Sequence, residues 1–329
     1  MSNVFVPLRR EKAKLVAPRD GFGEGMVLAA KKNPRIIALC ADVTESTRLH
    51  TFRAKFPDRF IEMGVAEQNM AGVAAGLALA GLSPCVVAYA VFSPGRNWDQ
   101  IRVSICYNNA NVKIAGAHAG LTVGPDGATH QALEDIAIMR VLPNMTVLCP
   151  ADAIQTKKAV TAAFERKGPV YIRFGREPMP VVINPHSTYT IGKADVLIPG
   201  DDAVIIACGS MVYESMVAAR LLRKTGIHAA VINNHTVKPL DRTTIIRTAR
   251  NTGAVVTAEE HQIQGGMGSA ISEALSAECP VPIEQIGVDN TFGESGTAGE
   301  LLTKYGLTSD HIVKAVLRVI KRKKHAHTL

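Results

Sequence analysis

Apolar strand-like runs alternate with helix-like segments along the chain, and this alternation restricts the fold more than any other feature. The first half places apolar runs at residues 34–42, 84–92, 111–118, 145–152 and 169–176, with helical patterns between most of them. These runs are almost continuously apolar, which is typical of strands that are covered on both faces. Strands separated by helices form parallel sheets, because each crossover returns the chain to the same edge. The sequence therefore predicts an α/β fold.

A second α/β pattern follows a stretch rich in proline and turn-forming residues. This stretch, PMPVVINPHSTYTIG, occupies residues 178–192 and has the composition of a linker. Beyond it the same alternation resumes, and a chain of 329 residues is long enough for two domains. We predict two doubly wound, mostly parallel-sheet domains at residues 1–180 and 193–329, joined by a linker at 181–192. In such sheets ligands bind beyond the carboxyl ends of the strands.

Composition argues against two classes of partner. The formal net charge is +8, but aromatic residues are only 5% of the chain, whereas nucleic-acid-binding surfaces combine basic and aromatic side chains. No apolar run is long enough to span a bilayer, and MSNVFVPLRREK at the N-terminus lacks the apolar core of a secretory signal. The six cysteines are widely spaced, as in proteins with reduced thiols. We expect a cytoplasmic protein with neither a nucleic-acid nor a membrane partner.

The densest group of chemically useful side chains lies in HAGLTVGPDGATHQ, at residues 118–131. This segment follows a strand and is rich in glycine and proline, so it is predicted to be a loop rather than a helix. It carries His118, Asp126 and His130, which suit hydrogen bonds and proton transfer to a hydroxylated substrate. A hydrogen-bonded structural loop is the alternative. No third ligand is obvious, so no metal site is predicted.

Glu67 stands between FIEMGVA and the small apolar residues of AGVAAGLALAG, before a helix that we expect to begin near Asn69. One interpretation is a first-turn carboxylate that interacts favourably with the helix dipole. The other is a catalytic carboxylate whose apolar surroundings raise its pKa, so that it can hold or share a proton. The residues around Glu67 leave both interpretations open.

Two further groups complete the set of candidate residues. Tyr89 and Phe92 end a strand pattern, where they either pack in the core or face a flat heterocycle. Arg19 is expected just before a helix, whereas Ser46 and Arg176 each follow a strand, so all three can lie on one rim of the sheet. Arginine gives forked hydrogen bonds to phosphate, and a serine at a helix N-terminus adds the support of the helix dipole. These three residues form a candidate anion site.

Taken in order, these stretches resemble the C-terminal half of transketolase, which consists of a pyrimidine-binding domain and a C-terminal domain. The resemblance covers nearly the whole chain with similar spacing, so it is more specific than any single motif. In the first half the strings that carry it are PDRFIEMGVAEQNMAGVAAGLALAG, FSPGRNWDQIRVS, HAGLTVGPDGATHQALEDIAIMRVLPNMTVLCPAD and RFGREP. In the second half they are HTVKPLD, EEHQIQGGMGSAISEAL and DNTFGESGTAGELLTKYGLT.

The resemblance implies thiamine diphosphate chemistry and gives each candidate residue a role. Glu67 matches the glutamate that bonds N1′ of the aminopyrimidine and so helps to activate the thiazolium, while Phe92 and Tyr89 match the aromatic wall against that ring. His118, Asp126 and His130 match family residues that contact the hydroxyl and carbonyl groups of the sugar. Arg19, Ser46 and Arg176 match the family residues that bind the substrate phosphate. Pro125 departs from the pattern, because many transketolases have an acidic residue there.

The family's diphosphate-binding motif is missing. Transketolases hold Mg²⁺ and the cofactor's diphosphate with a GDG motif followed by an asparagine, and no GDG occurs in this sequence. The resemblance is therefore to the C-terminal subunit of a split transketolase. It implies a separate N-terminal subunit that carries the GDG...N motif and binds Mg²⁺, or Ca²⁺ in its place. A two-plus-two heterotetramer, with the cofactor at the subunit interface, is the implied assembly.

The implied reaction moves a two-carbon ketol unit from a ketose phosphate, or from a sulfosugar, to an aldose acceptor. Glu67, His118 and His130 are the predicted catalytic residues. Pentose phosphates are the default substrates of the family. Related alternatives are 1-deoxyxylulose-5-phosphate synthase and the β subunit of 2-oxo acid dehydrogenases, although the synthase typically has an acidic residue at the position of His118. A non-catalytic subunit is another alternative, because a fold does not fix a function.

Overall fold

The computed structural model describes Phe5 and residues 14–326. Two predictions concern the N-terminus: the absence of a secretory signal, judged on residues 1–12, and the start of the first domain at residue 1. Apart from Phe5, these residues lie outside the described part of the chain. No helix in the described part of the chain is long and apolar enough to cross a membrane. None of the six cysteines is paired in a disulfide, and five of them are buried.

The strands are numbered in chain order. They are β1 (Leu15–Val16), β2 (Ile36–Cys40), β3 (Phe60–Glu62), β4 (Ser83–Tyr89), β5 (Lys113–Ala117), β6 (Thr146–Leu148), β7 (Val170–Arg173), β8 (Met179–Pro180), β9 (Asp195–Ile198), β10 (Ala203–Ala207), β11 (Ala229–Asn233), β12 (Thr236–Lys238), β13 (Val255–Gln262) and β14 (Ile283–Val288).

The helices are numbered in the same way. They are α1 (Pro18–Lys32), α2 (His50–Lys55), α3 (Glu67–Leu79), α4 (Trp98–Gln100), α5 (Asp135–Arg140), α6 (Ala153–Glu165), α7 (Met211–Arg223), α8 (Arg242–Thr252), α9 (Met267–Glu278), α10 (Ala298–Lys304) and α11 (Ser309–Ala326). A π-helix at Ile101–Tyr107 continues α4, and 3₁₀ turns lie at Pro57–Arg59 and Leu121–Asp126.

The larger sheet has seven strands in the order β12-β6-β7-β5-β4-β2-β3. All neighbours are parallel except the pair of β12 and β6. The chain runs from β2 to β3 on one side and then crosses to β4 on the other, so the strand order reverses between β2 and β4. Ligands of doubly wound sheets bind at such a reversal, beyond the carboxyl ends of the strands. Tyr89 ends β4 at this point.

The smaller sheet has five strands in the order β14-β13-β10-β11-β9, with β9 as an antiparallel edge strand. Residues Ala203–Ala207 are buried throughout, as expected for a central strand between two layers of helices. One apolar cluster includes Met70 and Ile114 from the first half of the chain together with Ile206 and Ile271 from the second. The predicted α/β fold with two doubly wound, mostly parallel sheets is confirmed.

Several local predictions differ from the structure. The strand predicted to reach residue 92 ends at Tyr89, and the helix predicted at 98–108 is mostly a π-helix. The short strand β12 was not predicted. It belongs to the second half of the chain but pairs with β6 of the larger sheet. Its pairing ties the two halves together through backbone hydrogen bonds.

Lys113 is fully buried at the start of the central strand β5. Its Nζ donates to Asn111 Oδ1 at 2.8 Å, to the carbonyl oxygen of Arg166 at 2.8 Å and to that of Gly168 at 2.7 Å. A buried ammonium group is tolerated only when its hydrogen bonds are satisfied. Lys113 therefore fastens the end of α6 and the turn before β7 to the middle of the sheet.

Substituting methionine for Lys113 is expected to lower the free energy of unfolding by about 3 kcal/mol, because three buried or partly buried acceptors lose their donor. Urea denaturation of the purified chain measures this difference. The matched control is Lys167→Met, since Lys167 is exposed on the neighbouring turn. Equal stability of the two variants would show that the three hydrogen bonds contribute nothing net.

Candidate active site

Glu67 is the first residue of α3, which begins two residues earlier than predicted. Its side chain is 2% exposed, and Arg96 Nη1 donates to both carboxylate oxygens, at 2.9 Å and 2.8 Å. Asn97 Nδ2 donates to its backbone carbonyl oxygen at 3.2 Å. The surroundings of Glu67 are thus not simply apolar, because Arg96, whose side chain is 48% exposed, pairs with the carboxylate. Arg96 covers the carboxylate from the solvent side.

A row of aromatic and imidazole rings extends from Arg96 along the carboxyl ends of the strands. The Arg96 guanidinium lies 4.8 Å from the centre of the Phe92 ring. Phe92 meets His130 edge-on at 5.3 Å, and Tyr89 stacks on His118 with ring centres 4.1 Å apart. Tyr89 and Phe92 are themselves 6.2 Å apart. The structure therefore brings these four predicted residues into one group, and Arg96 connects this group to Glu67.

His118 follows β5 directly and has a left-handed backbone, with φ at 54°. Its ring is buried, and Nδ1 has no hydrogen-bond partner among the described residues. Burial, followed by the positive charges of Arg19, Arg176 and Arg48, lowers the pKa of His118 to about 3. The imidazole is therefore neutral at physiological pH, and it can donate one hydrogen bond and accept another.

Arg19 and Ser46 are in direct contact, as Arg19 Nη1 donates to the carbonyl oxygen of Ser46 at 3.2 Å. Arg19 lies in the first turn of α1 rather than before the helix. Ser46 is not at a helix N-terminus, because α2 begins only at His50; its hydroxyl donates to the Val43 carbonyl and accepts from Tyr89 at 3.0 Å. The Tyr89 hydroxyl thus links the ring group to the predicted anion site across the strand reversal.

Arg176 and Asp126 face each other across the loop at 118–131. Arg176 Nη1 donates to the Val123 carbonyl oxygen at 3.0 Å and to both oxygens of Asp126 at 3.3 Å. The predicted loop contains a 3₁₀ segment that is interrupted at Gly124, where φ is 80°. Pro125 follows this interruption within the 3₁₀ segment. Asp126 therefore has an arginine partner in the protein, in addition to the substrate contact implied by the resemblance.

The second half of the chain supports this loop. Glu260, at the end of β13, is 4% exposed and accepts the backbone N–H of Thr122 at 2.7 Å and the hydroxyl of Ser210. Gly120 must be glycine here, because its φ is 86° and a Cβ would sit 2.2 Å from Glu260 Oε1. Gln131 Nε2 donates to the Glu294 carbonyl oxygen at 3.0 Å. Residues of the second half of the chain therefore fix the position of the loop at 118–131 through hydrogen bonds.

Removing the Glu260 carboxylate, as in Glu260→Ala, is expected to lower kcat/KM of the predicted two-subunit enzyme about tenfold, because a loosened loop would misplace the predicted catalytic residues His118 and His130. Hydrogen exchange at the Thr122 amide should accelerate in the same variant. Glu273→Ala is the control, since Glu273 forms an exposed ion pair with Arg140 elsewhere between the two halves. Unchanged exchange at Thr122 would contradict the supporting role.

Three residues of this arrangement were missed by the sequence predictions: Arg96, Arg48 and Glu260. Arg96 lies 29 residues from its partner Glu67, so no local pattern relates the two. Arg48 follows Ser46 by two residues and was visible as a second basic residue near the predicted anion site. Glu260 had a clear signal, because two consecutive carboxylates interrupt the apolar run AVVTAEEH.

In the described part of the chain, no group of three or more histidine, cysteine, aspartate or glutamate side chains is placed to hold a metal ion. The site is instead built from a buried carboxylate, aromatic faces, neutral imidazole and arginines. Groups of these types suit a flat ring and a hydroxylated anion. The fold and the site together define a two-domain α/β protein whose candidate site lies at the strand reversal of its first sheet.

Comparisons with known proteins agree with this class. The family described as transketolase, pyrimidine binding domain, matches residues 14–181, and transketolase, C-terminal domain, matches residues 192–312. The chain is similar to the 6-deoxy-6-sulfo-D-fructose transketolase subunit SqwH of Clostridium sp. (strain MSTE9), with 43% identity over 93% of this chain and 95% of that protein. It is also 37% identical to an apulose-4-phosphate transketolase subunit of Phocaeicola vulgatus, over 94% of this chain and 99% of the relative.

A solved structure described as a split gene transketolase, inactive beta4 tetramer, matches with a TM-score of 0.88 and 48% identity, covering 94% of this chain and 99% of that one. The chain belongs to the transketolase family, and it corresponds to the C-terminal subunit of a split transketolase.

Proposed function

We propose that this chain, together with an N-terminal partner subunit, transfers a two-carbon ketol unit from an anionic ketose to an aldose. The observation that carries the proposal is the continuous row from Glu67 through Phe92 to His118, which lies beside the arginines of the anion site. A catalytic carboxylate, a wall for a flat ring and groups for sugar hydroxyls are all needed at one place for this reaction. The two relatives described above are named for ketose substrates that carry a sulfonate or a phosphate.

Thiamine diphosphate is the proposed cofactor, and the residues present fit its aminopyrimidine. The Phe92 ring is only partly buried, and it lies beside Arg96, which pairs with the almost fully buried Glu67. A partly open aromatic face next to a buried carboxylate suits a flat ring that carries a basic nitrogen. When bound, the cofactor supplies an electron sink for the ketol unit. Glu67 would hold a proton at the ring nitrogen, and Phe92 with Tyr89 would orient the ring.

We assign the contacts to the hydroxyl and carbonyl groups of the ketose to His118 and His130, which also help to move protons. Asp126 accepts a hydrogen bond from a substrate hydroxyl. The neutral state of His118 supports this assignment, because a neutral imidazole can serve as both donor and acceptor. The anionic end of the ketose is bound by Arg19, Ser46 and Arg176.

The proposed partner carries the GDG...N motif and binds the diphosphate with Mg²⁺ or Ca²⁺. The absence of GDG from this sequence supports that division of labour. We propose a two-plus-two heterotetramer in the cytoplasm, with the cofactor at the subunit interface. For this chain we retain domains at 1–180 and 193–329 with a linker at 181–192. Pentose phosphates, branched-sugar phosphates and sulfosugars all end in an anion that suits the arginines of the site, so the test includes all three.

The test is co-expression of this chain with a transketolase N-terminal subunit that carries the GDG...N motif, followed by assay with thiamine diphosphate, Mg²⁺ and a panel of ketose donors. Ketol transfer by the complex, with neither subunit active alone, is the expected result. Pyruvate with an aldose phosphate is the control for the synthase alternative. A complex that binds the cofactor but transfers no ketol unit from any donor would refute the proposal and favour a non-catalytic subunit.

A further inference from the structure

Arg48 lies two residues after Ser46, and its backbone is left-handed, with φ at 66°. A left-handed arginine is uncommon and persists only where surrounding contacts enforce it. One such contact is with α1, where a Cβ at Gly23 would lie 2.7 Å from the carbonyl oxygen of Arg48 and 2.8 Å from its Cβ. Close packing against Gly23 therefore fixes Arg48 beside the first turn of α1, which contains Arg19.

Only one of the three guanidinium nitrogens of Arg48 makes a hydrogen bond to a described residue. Its Nε donates to Asp20 Oδ1 at 2.7 Å, and Asp20 directly follows Arg19 in α1. Its two terminal nitrogens have no hydrogen-bond acceptor in the described part of the chain, and the side chain is 38% exposed. Asp20 thus orients the guanidinium and leaves its outer pair of nitrogens available. An outer pair of this kind makes forked hydrogen bonds to a tetrahedral oxyanion.

Arg48 also acts electrostatically on the site. Burial, followed by the charges of Arg48 and Arg176, lowers the pKa of Arg19. The same three arginines lower the pKa of His118, after the larger effect of its burial. The charges of all three guanidinium groups therefore act on the same region next to His118.

The arginines in this region are only partly satisfied by carboxylates. Arg176 is bonded to Asp126 through long contacts of 3.3 Å and lies 3.4 Å from Glu177. Arg19 makes its hydrogen bond to a neutral carbonyl oxygen, and its buried Nε has no partner among the described residues. A buried donor without an acceptor is costly, so the arrangement favours an oxyanion that would supply one.

We propose that Arg48 is a third guanidinium of the anion site and makes the enzyme selective for ketose donors that end in a tetrahedral oxyanion, either a phosphate or a sulfonate. This inference rests on the proposed ketol transfer and names the residue that discriminates charged from uncharged donors. Asp20 is the positioning residue that orients Arg48. Because the contact is to the remote end of the donor, it affects binding more than the chemical step.

The test uses the complete complex with the Arg48→Leu variant and three donors: a ketose phosphate, a ketose sulfonate and the uncharged ketose erythrulose. We expect KM to rise about 10-fold to 100-fold for the charged donor that the enzyme uses, with kcat changed less than about threefold. The KM for erythrulose should not change. Inorganic phosphate or sulfate should inhibit the variant less strongly than the wild type. The charged donor whose KM responds identifies which oxyanion the site takes.

A second variant and a control separate this role from a structural one. Arg48→Lys retains the charge but loses the fork, so its KM should lie between those of the wild type and Arg48→Leu. Arg53→Leu is the matched control, since Arg53 forms an exposed ion pair with Glu45 on the same segment. An equal rise of KM for erythrulose, or no rise for either charged donor, would overturn the inference. Failure of the wild-type complex with every donor would instead overturn the proposed ketol transfer.

Discussion

Replacing Glu67 by glutamine is expected to reduce ketol transfer by the assembled complex at least about 100-fold, while the complex itself still forms. The amide has nearly the shape of the carboxylate, but it cannot hold a proton at the ring nitrogen of the proposed cofactor. Its NH₂ group can still donate, so thiamine diphosphate should bind with affinity reduced much less than turnover. Steady-state assays and cofactor titration by calorimetry measure the two quantities separately.

The alternative interpretation of Glu67 predicts a different result. A first-turn carboxylate that only interacts with the helix dipole contributes about 0.3–1 kcal/mol to stability and nothing to turnover. Under that interpretation Glu67→Gln would lower the unfolding temperature slightly and leave kcat unchanged. Asp58→Asn is the control for a general loss of negative charge, because Asp58 is exposed on a nearby turn.

Arg96 complicates the Glu67 substitution and provides a further check. Its Nη1 contacts both carboxylate oxygens, so glutamine leaves the guanidinium partly unpaired. Arg96→Gln removes that guanidinium while keeping Glu67. If the carboxylate acts on the cofactor, the double variant should be no more active than Glu67→Gln alone, because two residues that act as a unit are not additive. Recovery of activity in the double variant would mean that the unpaired arginine, rather than the missing carboxylate, caused the loss.

The fold could be predicted from the sequence wherever hydrophobicity alone decides the structure. The runs that became β2, β5 and β10 are apolar and buried, so their pattern was unambiguous. The antiparallel strands β9 and β12 were missed because edge strands are short and partly polar. The π-helix at Ile101–Tyr107 was also missed, because its hydrophobic pattern differs little from that of an α-helix.

The site was partly predictable for a geometric reason. Parallel strands end at the same edge, so Ser46 and Arg176, which follow β2 and β7, were expected on one rim of the sheet. At this edge Tyr89, the last residue of β4, contacts both Ser46 and His118. Partners contributed from elsewhere were not predictable in this way. Arg96 reaches Glu67 from the turn before α4, and Glu260 reaches the loop from the other half of the chain. Only the packing of the complete chain places them.

His118→Asn is expected to lower kcat/KM of the complex about 100-fold without weakening cofactor binding. Asparagine is chosen because it tolerates the left-handed backbone at this position, whereas alanine would add strain to the loss of the imidazole. It keeps a donor and an acceptor but does not reproduce the reach of the ring. His186→Asn is the matched control, since His186 is exposed. A kcat/KM within about threefold of the wild type would remove His118 from the proposed catalytic residues.

The same variant tests the electrostatics of the site through the pH dependence of stability. Burial and the neighbouring arginines lower the pKa of His118 from 6.5 to about 3, so between these values the unfolded chain binds a proton that the folded chain does not. The folded state is therefore destabilised as the pH falls from 6.5 towards 3, by about 1 kcal/mol per pH unit from this residue, and is unaffected by it above that range. Urea denaturation of the chain at pH 7 and pH 5 should show a smaller loss of stability for His118→Asn than for the wild type. Equal losses would mean that His118 is protonated in the folded chain, and its proposed role as a neutral donor and acceptor would then be wrong.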